Sequence, residues 1–268
     1  MSTLPANAGV ERIAGAFAGS GKRAALMPYL MGGFPDIHRS RAIGEAYADG
    51  GADLVELGVP FSDPLADGPV IQAAGTSALA AGATVGAVLE VAEALAQRLP
   101  VVLMCYANQV LARGVERFAA DLAATGTSGL IVPDLPLEEA AETRSACEAA
   151  GVALVPLAAP TTPDERLHKI GAQARGFLYA VSLTGTTGER SSLSEMFAGV
   201  VARAKAHTSV PVALGFGIAT PEHAAQAADA GADGVIVGSR LVRAAGEADD
   251  PAAAVREVVA GMADALRG

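Results

Sequence analysis

The sequence has little from which to build a metal or redox centre. Only two cysteines, Cys105 and Cys147, occur among 268 residues, far apart in segments with strand and helix character. No CxxC or HExxH pattern is present, and the four histidines (His38, His168, His207, His223) are scattered over expected helices and loops. No structural metal is therefore expected. Two buried thiols in a reducing compartment is the plain reading of the cysteines, with a disulfide as the alternative. Basic residues are also few, 19 against 29 acidic ones, for a net charge of −10. That balance argues against a sequence-independent nucleic-acid surface or an anionic-membrane surface. An anion such as phosphate must then be held mainly by backbone donors. No basic segment followed by an apolar core opens the chain, so no secretory signal is expected. The uncharged run through residues 71–89 is rich in Ala, Gly, Thr and Ser. It reads as two small helices and a turn rather than a membrane span. These absences together predict a cytoplasmic protein.

What is present is apolar and periodic. Hydrophobic residues make up 51% of the chain and charged ones 18%, enough for one sizeable core and too apolar for disorder. Short apolar runs recur at even spacing, each followed by a longer Ala-rich segment of helical character. They are ALMPYLMGG (24–32), DLVELG (53–58), VVLMCYA (101–107), GLIVPD (129–134), ALVPLAA (153–159), FLYAVS (177–182), VALGFG (212–217) and GVIVGS (234–239). Nearly unbroken apolar character suits strands covered on both faces. Three runs are introduced by similar text, DGGADLVELG, ATGTSGLIVPD and DAGADGVIVGS. Each reads as a helix ending at a glycine in the left-handed conformation, with a strand two or three residues on.

Eight strand–helix units in about 250 residues fit a single (β/α)8 TIM barrel. An open doubly wound sheet would be expected to carry GxGxxG after its first strand, and this first run ends MGGFPD. A leading helix is expected over about 8–20, the barrel over about 24–246, a short helix from about Ser239, and a closing helix over 251–267 begun by Pro251. No Pro/Ser-rich or charged linker divides the chain, so residues 1–268 are expected to form one domain.

Candidate chemistry gathers at the C-terminal ends of the runs, where barrels of this kind place their active sites. In VELGVPFSDPLADGPVIQ (55–72), two-residue alternation sets Leu54, Glu56 and Gly58 on one face and Val55 and Leu57 on the other. If Val55 and Leu57 meet the outer helices, Glu56 points into the barrel mouth. A carboxyl group there is costly unless hydrogen-bonded, protonated or used. Burial would raise its pKa and poise it as an acid–base near neutrality. The alternatives are a strand-end Glu reaching solvent and a buried ion pair. Asp63 and Asp67 follow on the loop. Asp63 in SDP can simply close a turn, and Asp67 before Gly68-Pro69 can cap a helix. Their spacing fits no Ca²⁺ loop, and no metal is expected there.

Glycines form a second group: Gly215 and Gly217 after the seventh run, Gly238-Ser239 after the eighth, and LTGTTGERSS after the sixth. Bare backbone there lets N–H groups reach an anion, and a helix starting near Ser239 adds its N-terminal dipole. Ordinary tight turning is the alternative. LTGTTGERSS, with little apolar content, reads as a lid. Tyr29, Tyr106, Tyr179 and Phe216 fall near the ends of four different runs in a chain only 4% aromatic. Core packing is the default for each. Together they would form an apolar slot for a flat ligand with acids at its edge.

The segment VELGVPFSDPLADGPVIQ closely resembles the hallmark of the tryptophan synthase alpha chain family. MPYLMGGFPD, MCYAN, VPDLP, TGTTGER, GFGI and VGS follow in the family's order, so the resemblance covers essentially the whole chain. The resemblance implies a TIM-barrel lyase that cleaves indole-3-glycerol phosphate to indole and glyceraldehyde 3-phosphate by a retro-aldol reaction. It implies no metal or organic cofactor on this chain. Indole would pass to a pyridoxal-phosphate-dependent (PLP) beta chain in an α2β2 heterotetramer. By matching motif positions, Glu56 is the acid–base residue and Asp67 the second catalytic carboxylate. Tyr29, Tyr106, Tyr179, Thr187 and Phe216 line the indole end, and Gly188, Gly217, Gly238 and Ser239 hold the phosphate. Two departures, the residues of LTGTTGER and Phe177 where Tyr is often found, bear on lid closure and partner communication rather than on reaction type. The competing readings are another phosphate-binding barrel isomerase or epimerase, and a non-catalytic activating subunit. No lysine falls inside any of the eight runs, which argues against a Schiff-base aldolase.

Overall fold

The structure, a computed structural model, describes residues 8–181, 193–215 and 217–268, without the side chains of 193 and 194. Helix α1 (Ala8–Gly19) leads into strand β1 (Ala25–Met31), helix α2 (Ile37–Asp49) and strand β2 (Val55–Gly58). Helices α3 (Pro69–Ala80) and α4 (Val85–Ala96) precede β3 (Val101–Met104), and α5 (Ala107–Arg113) and α6 (Val115–Ala124) precede β4 (Gly129–Ile131). After α7 (Ala141–Ala150) come β5 (Ala153–Leu154), β6 (Leu157–Ala158), α8 (Asp164–Gln173), β7 (Leu178–Val181) and α9 (Leu193–Lys205). The remainder is β8 (Val212–Gly215), α10 (Pro221–Asp229), β9 (Gly234–Val237), α11 (Ser239–Glu247) and α12 (Pro251–Arg267). Leading, short and closing helices thus fall where the sequence places them.

All strand pairs are parallel, in the order β5-β4-β3-β2-β1-β9-β8-β7-β6. This is a TIM barrel, with one difference from the eight-strand expectation. The fifth run, ALVPLAA, is split into β5 and β6 at Val155–Pro156. Val155 N–H donates to Leu130 O (2.9 Å), while Pro156 O accepts from Tyr179 N–H (3.0 Å). One apolar run therefore bonds to β4 with its first half and to β7 with its second, and the ring closes through it. Proline supplies no N–H, so the ladder lapses at that residue.

The alternation read from the sequence sorts the core into two layers. Val55, Leu57, Leu103, Leu130, Leu214 and Val235 pack outward against the helices. Met27, Leu54, Val102, Ile131, Phe177 and Ile236 fill the barrel's interior. Ile13 of α1 joins that interior cluster with no exposed surface, so α1 plugs the end opposite the strand C-termini. The Arg12 guanidinium fastens the plug by donating to Gly126 O (2.8 Å) and Ala96 O (2.7 Å).

The repeated helix-to-strand joints do turn through left-handed glycines, Gly51 (φ 95°), Gly126 (φ 71°) and Gly231 (φ 88°). Two of them also share a carboxylate whose use the sequence does not disclose. Asp53 accepts from Leu26 N–H (2.7 Å) and pairs with Lys22 (2.8 Å). Asp233 accepts from Val212 N–H (2.8 Å) and pairs with Lys205 (2.7 Å). Each Asp caps the start of a neighbouring strand, so the repeated GAD text is a staple between adjacent units.

Cys105 and Cys147 are both free and buried. Among the described residues no group of three His, Cys, Asp or Glu is placed to hold a metal ion, and no single helix is long and apolar enough to cross a membrane.

Candidate active site

Parallel strands bring all their C-terminal ends to one rim, and a cavity of about 1110 Å³ opens there. Glu56 lies on its wall, one step along β2 from the interior residue Leu54. It is 1% exposed, and its Oε2 has no hydrogen-bond partner among the described residues. Glu56 therefore does not face solvent, and among the described residues it has no ion-pair partner. Burial, and secondarily the charge of Asp67, pushes its carboxyl up to about 8. A buried acid of that kind is neutral but exchangeable near pH 7.

Asp67 reaches the same cavity from the loop between β2 and α3. It does not cap α3: the N-cap is Gly68, with Pro69 as the first helical residue. Burial raises the Asp67 carboxyl to about 6, against the lowering effect of a hydrogen bond from the Tyr106 phenol. Asp67 is thus mostly ionised at pH 7 while Glu56 is mostly protonated. Asp63 is not brought in. It sits on the exposed part of the loop, bonded by Ser62 Oγ at 2.5 Å, outside the cavity lining.

Tyr29 lines the cavity from β1, in register beside Glu56, and Tyr179 lines it from β7 across the ring. Two strand-end glycines make room for them. A Cβ on Gly58 would stand 2.0 Å from the Tyr29 hydroxyl, and one on Gly215 would stand 2.4 Å from that of Tyr179. Gly215, read from sequence with the anion-binding glycines, is the seat of an aromatic ring. Gly58→Ala is expected to force Tyr29 off the wall and to destabilise by about 1–3 kcal/mol through overpacking. Urea unfolding of the variant measures this; an unchanged midpoint would mean that the ring relocates without strain. Tyr106 stands behind the loop rather than on the wall. Its ring stacks on Phe61 (5.2 Å between centroids), and its hydroxyl accepts from Ala66 N–H (3.0 Å).

Gly217, Gly238 and Ser239 line the side of the cavity formed by the ends of β8 and β9. Gly238 is the N-cap of α11, and its carbonyl already accepts from the N–H groups of Leu241 and Val242. The first N–H groups of α11 have no partner within the helix, which favours an anion at that end. Arg240 and Arg243 line the cavity as well, and the sequence reading overlooked both. The available cue was two cations in the first turns of a helix, where the dipole disfavours them. Met104, Ile71, Leu157 and Ile236 supply apolar wall to the same cavity. Thr187, Gly188 and Phe216, and the expected lid over 182–192, lie outside the described residues. Phe177, the departure noted above, is fully buried beneath Tyr179, with ring centroids 6.5 Å apart.

The cavity brings a neutral, proton-exchanging carboxyl and an anionic one together with apolar wall and, at the ends of β8 and β9, with donors suited to an anion. A family model described as tryptophan synthase alpha chain matches residues 17–266. The chain is 51% identical to the tryptophan synthase alpha chain of Synechococcus sp. (strain CC9902) over 223 residues, covering 82% of this chain and 83% of that one. It is 44% identical to the alpha chain of Methanopyrus kandleri over 265 residues, 96% of each. Among solved structures, it is similar to tryptophan synthase of Mycobacterium tuberculosis, with TM-score 0.88, 39% identity, and coverage of 96% of this chain and 98% of that one. It is also similar to a chain of the tryptophan synthase α2β2 complex of Pyrococcus furiosus, with TM-score 0.84, 38% identity, and coverage of 90% and 98%.

Proposed function

The chain belongs to the tryptophan synthase alpha chain family, and from that premise we propose that it cleaves indole-3-glycerol phosphate into indole and glyceraldehyde 3-phosphate. The observation that carries this reading is the buried Glu56 carboxyl, with one oxygen unpartnered, on the wall of a cavity it shares with Asp67.

The substrate phosphate sits at the start of α11, held by N–H groups around Gly217, Gly238 and Ser239, with Arg240 and Arg243 adding charge. The indole ring lies between Tyr29 and Tyr179. Neutral Glu56 donates its proton to ring carbon C3, and positive charge develops at the ring nitrogen. The ionised Asp67 faces the ring N–H and stabilises that charge as it appears. The Glu56 carboxylate then takes the proton of the hydroxyl on the carbon bonded to C3. That carbon becomes the aldehyde, the C–C bond electrons return to the ring, and neutral indole leaves. One carboxyl group thus serves as acid and then as base, and is restored at the end. These steps call on no metal or organic cofactor. We place the PLP chemistry that consumes indole on a beta chain joined to this one in an α2β2 assembly in the cytoplasm.

The experiment is an assay of the purified chain on indole-3-glycerol phosphate, alone and with a beta chain added. Indole and glyceraldehyde 3-phosphate are expected in equal amounts, faster in the complex. No cleavage in either setting, together with stimulation of the beta chain, would leave a non-catalytic activating role instead. Isomerisation of a sugar phosphate without indole release would mark another barrel enzyme; among the described residues no lysine lines the cavity.

A further inference from the structure

The loop that carries Asp67 is nearly without regular structure between Gly58 and Pro69, yet its carboxylate has to meet a ring nitrogen within a few tenths of an ångström. Its internal bonds are few: Leu65 N–H to Asp63 O (3.0 Å) and Asp67 N–H to Pro64 O (3.2 Å). What fixes it comes from outside, and chiefly from the start of α5. The Gln109 carboxamide is used at both ends. Its Nε2 donates to Pro60 O (3.0 Å) at the root of the loop, and its Oε1 accepts from Tyr106 N–H (3.1 Å). Tyr106 in turn holds the far part of the loop: its ring stacks on Phe61 and its hydroxyl accepts from Ala66 N–H (3.0 Å), next to Asp67. Gln72 of α3 adds two bonds from Nε2, to Asp67 O at 2.8 Å and to Pro64 O at 3.4 Å, both to backbone carbonyls and neither to the carboxylate.

We propose that Gln109 is a positioning residue for Asp67, tying the root of the loop and the Tyr106 phenol into one clamp that aims the carboxylate. This rests on the reading of Asp67 as the group that stabilises the departing ring. Gln109 touches neither the cavity nor the acids; it acts through Pro60 and Tyr106. Without it, α5 still forms, but Tyr106 and the loop lose their common fixed point. The Tyr106 hydroxyl then no longer reliably meets Ala66 N–H, next to Asp67, and the carboxylate drifts from the ring N–H. A displacement of this size remote from the reacting atoms costs on the order of tenfold to a hundredfold in turnover.

Two readouts together test it in Gln109→Ala. The first is carbon-detected NMR titration of the Asp67 carboxyl, which needs no catalysis. The groups that face this carboxyl are Glu56 on β2, Tyr29 on β1 and Tyr106 at the start of α5. The neighbouring Tyr106 phenol is what holds its pKa down, so releasing the clamp should move the titration to higher pH, as Tyr106→Phe should do directly. The second readout is the pH dependence of kcat/KM for indole release, whose acid limb should move upward with it, while kcat falls about tenfold or more and KM stays near its original value. The double variant Gln109→Ala/Tyr106→Phe should add little to either single one, because both act on one contact. A folded Gln109→Ala whose Asp67 titrates as in the unaltered chain, or whose losses simply add to those of Tyr106→Phe, overturns the proposal. Gln109→Glu keeps length and the acceptor for Tyr106 N–H but loses the donor to Pro60 O. If Gln109→Ala does not fold, this variant decides by the same readouts, and failure of both to fold makes Gln109 a stability residue and overturns the proposal. If the unaltered chain releases no indole, the functional reading fails while the titration still decides the clamp.

Discussion

Glu56→Gln lowers kcat for indole release by about a thousandfold, within the range for losing a positioned general acid–base, and leaves KM within a few-fold. The amide is nearly isosteric with the neutral carboxyl group, so the cavity keeps its shape and the substrate its seat. What is lost is the proton: an amide can neither donate one to ring carbon C3 nor accept one from the hydroxyl. Steady-state kinetics of indole formation measures this, and a variant with near-original kcat would remove Glu56 from the mechanism. The same substitution changes how stability depends on pH. The Glu56 carboxyl is raised from 4.5 to about 8 in the fold. Below pH 4.5 it is protonated in both folded and unfolded chains and costs nothing. Between there and about pH 8 the unfolded chain ionises while the folded one resists, so stability is lost progressively as pH rises. Gln does not titrate. The variant should therefore gain on the original chain as pH rises, by on the order of a few kcal/mol at pH 9. Urea unfolding at pH 5 and pH 9 checks the sign.

Asp67→Asn is the second large effect, a fall in kcat of about a hundredfold to a thousandfold, comparable to removing a donor that stabilises a developing charge. Here the proton chemistry survives, but a neutral amide faces the ring N–H as positive charge appears there. Phosphate binding, at the start of α11 rather than on the loop that carries Asp67, should be unaffected, so inorganic phosphate should inhibit both forms with similar affinity. The pH profile separates the two acids. In the original chain, kcat/KM should fall below about pH 6 as Asp67 is protonated, and above about pH 8 as Glu56 ionises. Asp67→Asn should lose the acid limb and keep the alkaline one. A variant that keeps both limbs and its rate would show that Asp67 is not part of the site's chemistry.

These expectations were within reach of the sequence to different degrees. Glu56 was legible because the alternation of a strand is rigid. Once Val55 and Leu57 face the helices, Glu56 has only the barrel mouth left. Asp67 was legible as a catalytic acid only through resemblance, since Asp63 and Asp67 look alike in a loop and backbone path alone separates one from the other. The anion site at Gly238-Ser239 was readable as a helix start, but Arg240 and Arg243 were missed, although two cations in the first turns of that helix were the cue. Tyr106 fell at the expected strand end and yet supports the loop from behind, and Gln109 gave no signal at all. Its carboxamide matters only because Pro60, distant in sequence, lies 3.0 Å away.

Local patterns alone were enough for the number of units, the two faces of the strand that carries Glu56 and the points where three of the helices stop. All of these depend on interactions within a few residues: periodicity, left-handed glycines and helix-starting prolines. Only the tertiary structure decided which run closes the ring, why Asp53 and Asp233 recur, and which of the loop acids reaches the cavity. The reason is physical. Those choices are made by hydrogen bonds and contacts between residues far apart in the chain, and a local pattern carries no record of its distant partner.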